Sequence, residues 1–295
     1  MREPPALTAD ALSMLPPMAG WIVSAPAETP EAAAFRSGAA LAHLGLAAQA
    51  AEVPQALWRD RLALAAAEVC AGLAGRREDA RALRDAVHLT RPGDDPGPAG
   101  RLLRQWSRAV AGPISVAALA RALEGVTPEQ VALCLDAVGP TPVDRAAWVI
   151  EAVLTDSPRL QTPALVLADA VLAKSLGRDH ILPLISLTLK PRDLRLRGDD
   201  LRLACHRAAA LGAGQALPLA GELARAAARL RAAMPQLRAK AAARAMDQFL
   251  NRDALAPGAL DFMSDRAARR LCDRLVALGA LRELTGRATF RLYGL

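Results

Sequence analysis

Apolar residues recur along most of this chain at spacings of three and four, the period of helices with one face turned inward. Residues 1–30 are the exception. They are rich in proline and weakly patterned, which predicts an extended arm with Trp21-Ile22-Val23 as its anchor. Beyond it the pattern predicts helices over 34–51, 56–74 and 78–89, with Gly75 as a stop signal for the second. The run from Thr90 to Gly100 concentrates proline, glycine and aspartate and predicts a loop.

Helical periodicity resumes over 101–110, 115–123, 128–138, 144–154 and 163–176. Thr127 and Pro128 supply an N-cap and a first helical residue for the third of these. Ile181 to Leu189 fits a buried strand or a buried helix, and its helical neighbours favour helix. Two long runs follow, 199–211 and 217–249, and Pro235 must divide or kink the second.

The tail changes character. Ser264 is an N-cap signal and Asp265 suits the positive end of a helix dipole. Ala267, Leu271, Leu275 and Leu278 then fall on one side, flanked by Ala268, Cys272 and Val276. Gly279 ends the run, and strand-like segments 281–284 and 289–293 flank a turn at Thr285-Gly286-Arg287. Alternation places Phe290 and Leu292 inward and Arg291 and Tyr293 outward. That order, helix then hairpin, is the order of a winged helix. The expected fold is mostly α: an arm over 1–30, a multi-helix domain over 31–250 and a small C-terminal winged helix over 251–295.

Composition agrees, since 53% of the chain is hydrophobic but only nine of 295 residues are aromatic, and much of the apolar content is helix-forming alanine. The net charge is +7, and its placement matters more than its size. Residues 220–295 hold 14 basic and seven acidic side chains, so the whole surplus lies in the last quarter. A basic block on an otherwise neutral chain points to phosphates or an acidic partner. The widely spaced Cys70, Cys134, Cys205 and Cys272 fit buried thiols of a reducing compartment. The longest uncharged stretch, 11–27, is broken by Pro16, Pro17 and Pro26 and cannot span a bilayer as a helix. The expectation is a soluble, cytoplasmic protein with no membrane partner.

Candidate chemistry concentrates in the tail. Arg266, Arg270 and Arg274 recur every fourth residue and Arg269 lies on a neighbouring edge, while Arg287 and Arg291 belong to the hairpin. An apolar face backed by an arginine face suits a helix seated in a major groove, where guanidinium groups reach phosphates or the O6/N7 edge of guanine. Elsewhere the four histidines, His43, His88, His180 and His206, and the acid pairs Asp94-Asp95 and Asp199-Asp200 are the only candidates for a base or a metal site, with Asp199 and His206 near one helix face. Asp199 reads more simply as a helix cap. Arg91, Arg101 and Arg104 flank glycine amides and suggest an anion nest. None of the familiar catalytic or phosphate-loop spacings occurs, and the reading assigns no catalytic residue, metal or cofactor.

Four segments, AFRSGAAL at 34–41, LRDAVHLTRPGDDPGPAG at 83–100, GDDLRLACH at 198–206 and the tail from Ser264, resemble an uncharacterised bacterial family, domain of unknown function 1403. That resemblance implies no activity. The tail, through Leu284-Thr285-Gly286-Arg287 and Phe290-Arg291-Leu292-Tyr293, is also similar to the terminal winged helix of Fic-type and related plasmid proteins. The His-Pro-Phe and Gly-Asn-Gly-Arg motifs of Fic proteins are missing, so adenylyl transfer is not implied. The leading expectation is a regulatory protein that binds double-stranded DNA. A second is an antitoxin-like or accessory plasmid module whose winged helix contacts a protein partner or a second copy. A third is an enzyme centred on His88 or on Asp199 and His206.

Overall fold

The computed structural model describes residues 17–23, 29–91, 93–237, 241–287 and 289–295. Among these residues twelve α-helices form, and the only sheet has two strands. Most of the predicted arm lies outside the described residues. Within it, Gly20–Val23 makes one helical turn (α1) that buries Ile22 and leaves Trp21 stacked on Phe35 at 5.6 Å. Helices α2 (Pro30–Gln49), α3 (Gln55–Leu73) and α4 (Ala80–His88) follow at the places the periodicity predicts.

The described residues divide into two compact units. One comprises residues 17–45 and Leu62–Leu217. The other comprises Leu46–Arg61 and Pro218–Leu295.

In the first unit the centre is α9 (Gln161–Ser175), whose residues from Thr162 to Ala173 are all buried. A helix apolar all round belongs inside a core rather than on its surface. Around it pack α5 (Gly97–Ala111), α7 (Pro128–Leu135) and α8 (Pro142–Asp156), with α6 (Val116–Ala122) between α5 and α7. Thr127 and Gln130 complete a reciprocal capping box on α7, and Thr141 and Asp144 do so on α8. The predicted loop is shorter than its composition suggests. Gly97 and Pro98 already belong to α5, and Ala99 and Gly100 are buried. Gly100 is required there, because a Cβ would stand 2.3 Å from the Pro96 ring.

Two expectations fail in instructive ways. Ile181 to Leu189 is neither strand nor α-helix but an irregular segment with a single 3-10 turn, Ile185–Leu187. Asp169 of α9 explains it. Its carboxylate accepts from the amides of Leu184 (3.2 Å), Ile185 (2.9 Å) and Ser186 (3.3 Å) and from the Ser186 hydroxyl (2.5 Å). A buried side chain thus satisfies main-chain donors that a helix or ladder would otherwise satisfy. Burial pushes the Asp169 carboxyl up to about 6, against the pull of these donors.

The second failure is the predicted break near residue 212. Gly198–Ala233 is one continuous helix, α10, with Pro218 inside it. Ala209, Ala213, Ala216, Ala220 and Ala227 are fully buried along it. That stripe holds the helix through a residue that removes one internal hydrogen bond. Gly212 lets the Leu184 carbonyl approach to 2.2 Å from where a Cβ would stand. Pro235 does end the run, in the 3-10 turn Met234–Gln236.

All four cysteines are buried and free. Burial pushes the thiols of Cys70 and Cys134 up to about 11 and that of Cys272 up to about 12, which makes them poor nucleophiles. Among the described residues no helix is long and apolar enough to cross a membrane.

Candidate functional site

In the second unit, α11 (Ala242–Asn251) leads through Leu255 and a 3-10 turn, Pro257–Ala259, to α12 (Asp265–Ala277). Ser264 caps α12 by accepting from the Ala267 amide at 3.4 Å. The face turned inward is Ala268, Leu271, Cys272 and Leu275. It is narrower than the predicted face and rotated from it: Ala267 and Val276 are exposed and Leu278 is half-buried.

The arginines of α12 separate into two sets. Arg266, Arg270 and Arg274 form one exposed stripe and make no ion pair among the described residues. Arg269 is turned to the other edge, where it pairs with Asp265 at 2.9 Å. Strands β1 (Arg282–Glu283) and β2 (Tyr293–Gly294) are shorter than predicted and pair antiparallel, Arg282 opposite Gly294. Leu255 then joins the far side of β2 through an antiparallel bridge to Tyr293. Between the strands, Leu284 donates to the Leu292 carbonyl (2.8 Å), and the Leu292 amide donates to the Thr285 hydroxyl (3.3 Å).

Tyr293 is buried rather than outward-facing. Its strand lies between β1 and Leu255, so neither edge of it is free, and its hydroxyl donates to Asp273 Oδ1 at 3.3 Å. Burial raises the phenol above its ordinary value. Arg291 is exposed, as alternation predicts, and is held between Asp273 (3.9 Å) and Glu283 (3.8 Å). Arg287 is half-buried just after Gly286, whose φ of +61° is the left-handed turn conformation that glycine adopts freely. Of the six arginines singled out in the tail, three therefore lie on one stripe without an ion pair among the described residues, and two are tied to carboxylates.

The histidine candidates resolve differently. His88 sits half-buried in the last turn of α4. Asp199 and His206 do not meet. Asp199 lies in the first turn of α10 and pairs with Arg202, so it is not the helix's cap. Gly198, with φ +54°, begins that helix, and its amide donates to Glu151 at 3.2 Å.

His206 instead stands between Ser37 of α2 and Asp144 of α8, with Ser37 Oγ 2.7 Å from Nδ1 and Asp144 Oδ1 3.3 Å from Nε2. Burial is the largest influence on the imidazole and lowers its pKa, while Asp144 opposes that and Arg202 adds to it. In the neutral tautomer with its proton on Nε2, that N–H donates to Asp144 and Nδ1 is an acceptor beside the Ser37 hydroxyl, which also donates to the Ala34 carbonyl at 3.0 Å. This serine–histidine–aspartate chain has the connectivity of a nucleophile relay with the ring reversed. Ser37 is only 1% exposed and His206 only 4%, so the hydroxyl does not face solvent. Its evident work is to join three helices through one satisfied polar chain. Ser37 and His206 lie in two of the segments that carry the family resemblance, 169 residues apart, and no spacing rule links them.

The anion nest near residue 95 is filled from within. Asp95 accepts from the Gly97 amide (3.0 Å) and from Arg101 (2.7 Å), and Arg104 donates to the Asp94 carbonyl (3.0 Å). No group of three or more metal-ligating side chains comes together among the described residues.

The described residues are thus mostly helical, with a two-stranded sheet beside a basic helix near the C-terminal end. The chain belongs to the family described as protein of unknown function (DUF1403), whose model matches residues 6–295. No curated protein and no solved structure matches it. The family match takes in the tail as well, and no Fic-type relative accompanies it, so the likeness to Fic proteins gains no support.

Proposed function

We propose that residues 242–295 form a winged helix that binds double-stranded DNA, with α12 as the groove helix. The observation that carries this reading is the exposed, unpaired stripe of Arg266, Arg270 and Arg274 on the helix that precedes the hairpin. The element order supports it. Helix α11, the bridge residue Leu255, the short turn Pro257–Ala259, α12 and the β1–β2 hairpin follow one another in the order of a winged helix, and Leu255 ahead of the groove helix bridges to the last strand of the wing. Arg287, half-buried just after the hairpin's Gly286, would be the wing's phosphate contact.

Three unpaired guanidinium groups set the scale of the salt effect. Neutralising about three phosphates gives a slope of log K against log salt of about −3. Retention of a random duplex pool at low and moderate salt tests this, compared between the native chain and an Arg266→Glu/Arg270→Glu variant. Both positions are exposed, so the variant should fold normally.

A protein partner is the second reading, and one observation favours it. Beside α12 lies a cleft of about 420 Å³ lined by Phe290, Tyr293, Arg269 and Arg291 together with Asp265 and Asp273. Its mixed charge and aromatic lining suit a polypeptide better than a phosphate backbone. Binding through it would persist at high salt.

A further inference from the structure

We infer that the C-terminal unit carries a second basic site, a cleft for a small phosphorylated ligand. This cleft, about 320 Å³, is walled by α10 on one side and by the segment from Gly279 to Arg282 on the other. Arg225 and Arg229, one helical turn apart on α10, face it together with Arg282 of β1. All three are exposed and make no ion pair among the described residues. Glu222 is the one acidic side chain in the lining. Counting these side chains, three positive charges meet one negative charge, a surplus of two.

The floor is fixed. Arg61 pairs with Asp253 and donates to the Leu295 carbonyl at 3.1 Å, while Asp60 accepts from the Asp253 amide at 2.9 Å. Arg61 is thereby neutralised and held in place, and Leu223 and Ala280 supply apolar wall beside it.

Like charges one helical turn apart are mutually destabilising, and a third guanidinium across the same cleft adds to the cost. An oxyanion relieves it, because arginine forks match phosphate oxygens with charge-assisted, paired hydrogen bonds. A surplus of two charges matches a phosphomonoester or diphosphate dianion. The volume lies at the small end of the range for small-molecule sites. A duplex cannot enter a cleft of this size and would touch only its rim. The site is separate in residues from the α12 stripe, so it stands or falls independently of DNA binding.

The test uses the full chain and inorganic pyrophosphate as probe, titrated calorimetrically and by thermal shift at constant ionic strength, with chloride as the reference salt. Saturable binding is expected. It should weaken at least about tenfold, roughly 1.4 kcal/mol, in an Arg225→Gln/Arg229→Gln variant. Arg266→Gln/Arg270→Gln should bind pyrophosphate as the native chain does. Circular dichroism and the melting midpoint establish that both variants are folded. Equal affinity in the Arg225/Arg229 variant, or a response that never saturates and matches chloride, would overturn the assignment. So would loss of duplex retention in that variant with no pyrophosphate titration in the native chain, which would give these arginines to a DNA backbone instead.

Discussion

Leu255 and Tyr293 exchange two main-chain hydrogen bonds, each 2.9 Å long, which fasten the segment before α12 to the last strand after it. Gly294, next along that strand, makes the closeness possible, because a Cβ there would stand 2.4 Å from the Asp253 carbonyl. Gly294→Ala should therefore displace β2 and lower stability by about 1–3 kcal/mol. If the winged-helix reading holds, duplex retention falls with it, although no arginine is touched. Urea unfolding alongside a retention assay checks both effects.

Two glycines in helices should respond with opposite signs. Gly38 of α2 is exposed with nothing near its missing Cβ, so Gly38→Ala should stabilise by about 0.5–1 kcal/mol. Gly212 of α10 faces the Leu184 carbonyl at 2.2 Å from the Cβ position, and Gly212→Ala should instead cost about 1–3 kcal/mol. Denaturant midpoints for the two variants, measured side by side, decide the point.

Protonation of His206 is disfavoured in the folded chain, chiefly by burial. Its folded pKa lies below the ordinary value of 6.5, so the unfolded chain takes up the proton first. Stability is then held above pH 6.5 and lost as pH falls through that value towards the folded pKa. His206→Gln should flatten this limb of the stability profile. A profile unchanged by the substitution would assign the limb to other groups.

Asp169 titrates with the opposite sign. Its carboxyl is raised from 3.8 to about 6 by burial, so the folded chain holds the proton more tightly than the unfolded one. Its contribution is fully present below pH 3.8 and lost as pH rises through about 6. Asp169→Asn should remove that dependence. Asp169→Ala should lower stability by about 2 kcal/mol or more at neutral pH, because the donors of Leu184, Ile185 and Ser186 lose their buried acceptor. Unfolding curves taken between pH 4 and pH 7, on the order of the spread between the two states of this group, separate it from His206.

Local chemistry was legible where it was sufficient. The Thr127 cap with Pro128, the Ser264 cap and the stripe of Arg266, Arg270 and Arg274 follow from residue types at helical spacing, and each stands where its spacing places it. Tertiary override explains the rest. The segment around Ile185 takes its shape from a carboxylate on α9, and no pattern within the segment reports that. Continuity of α10 through residues 212–216, where the pattern predicted a gap between two helices, goes with its stripe of buried alanines. His206 had a carboxylate partner, but Asp144 is 62 residues away and Asp199 only seven, so proximity in the chain named the wrong one. Alternation places Tyr293 outward, and the bridge from Leu255 to the far edge of its strand is not visible from the hairpin alone.

The most direct test is retention of a random duplex DNA pool by the native chain and by Arg266→Glu/Arg270→Glu, at low and moderate salt. Binding should weaken steeply with salt, with a log–log slope of about −3, and should disappear in the folded variant. Equal retention by both proteins, or none by either, would contradict the assignment of α12 to DNA.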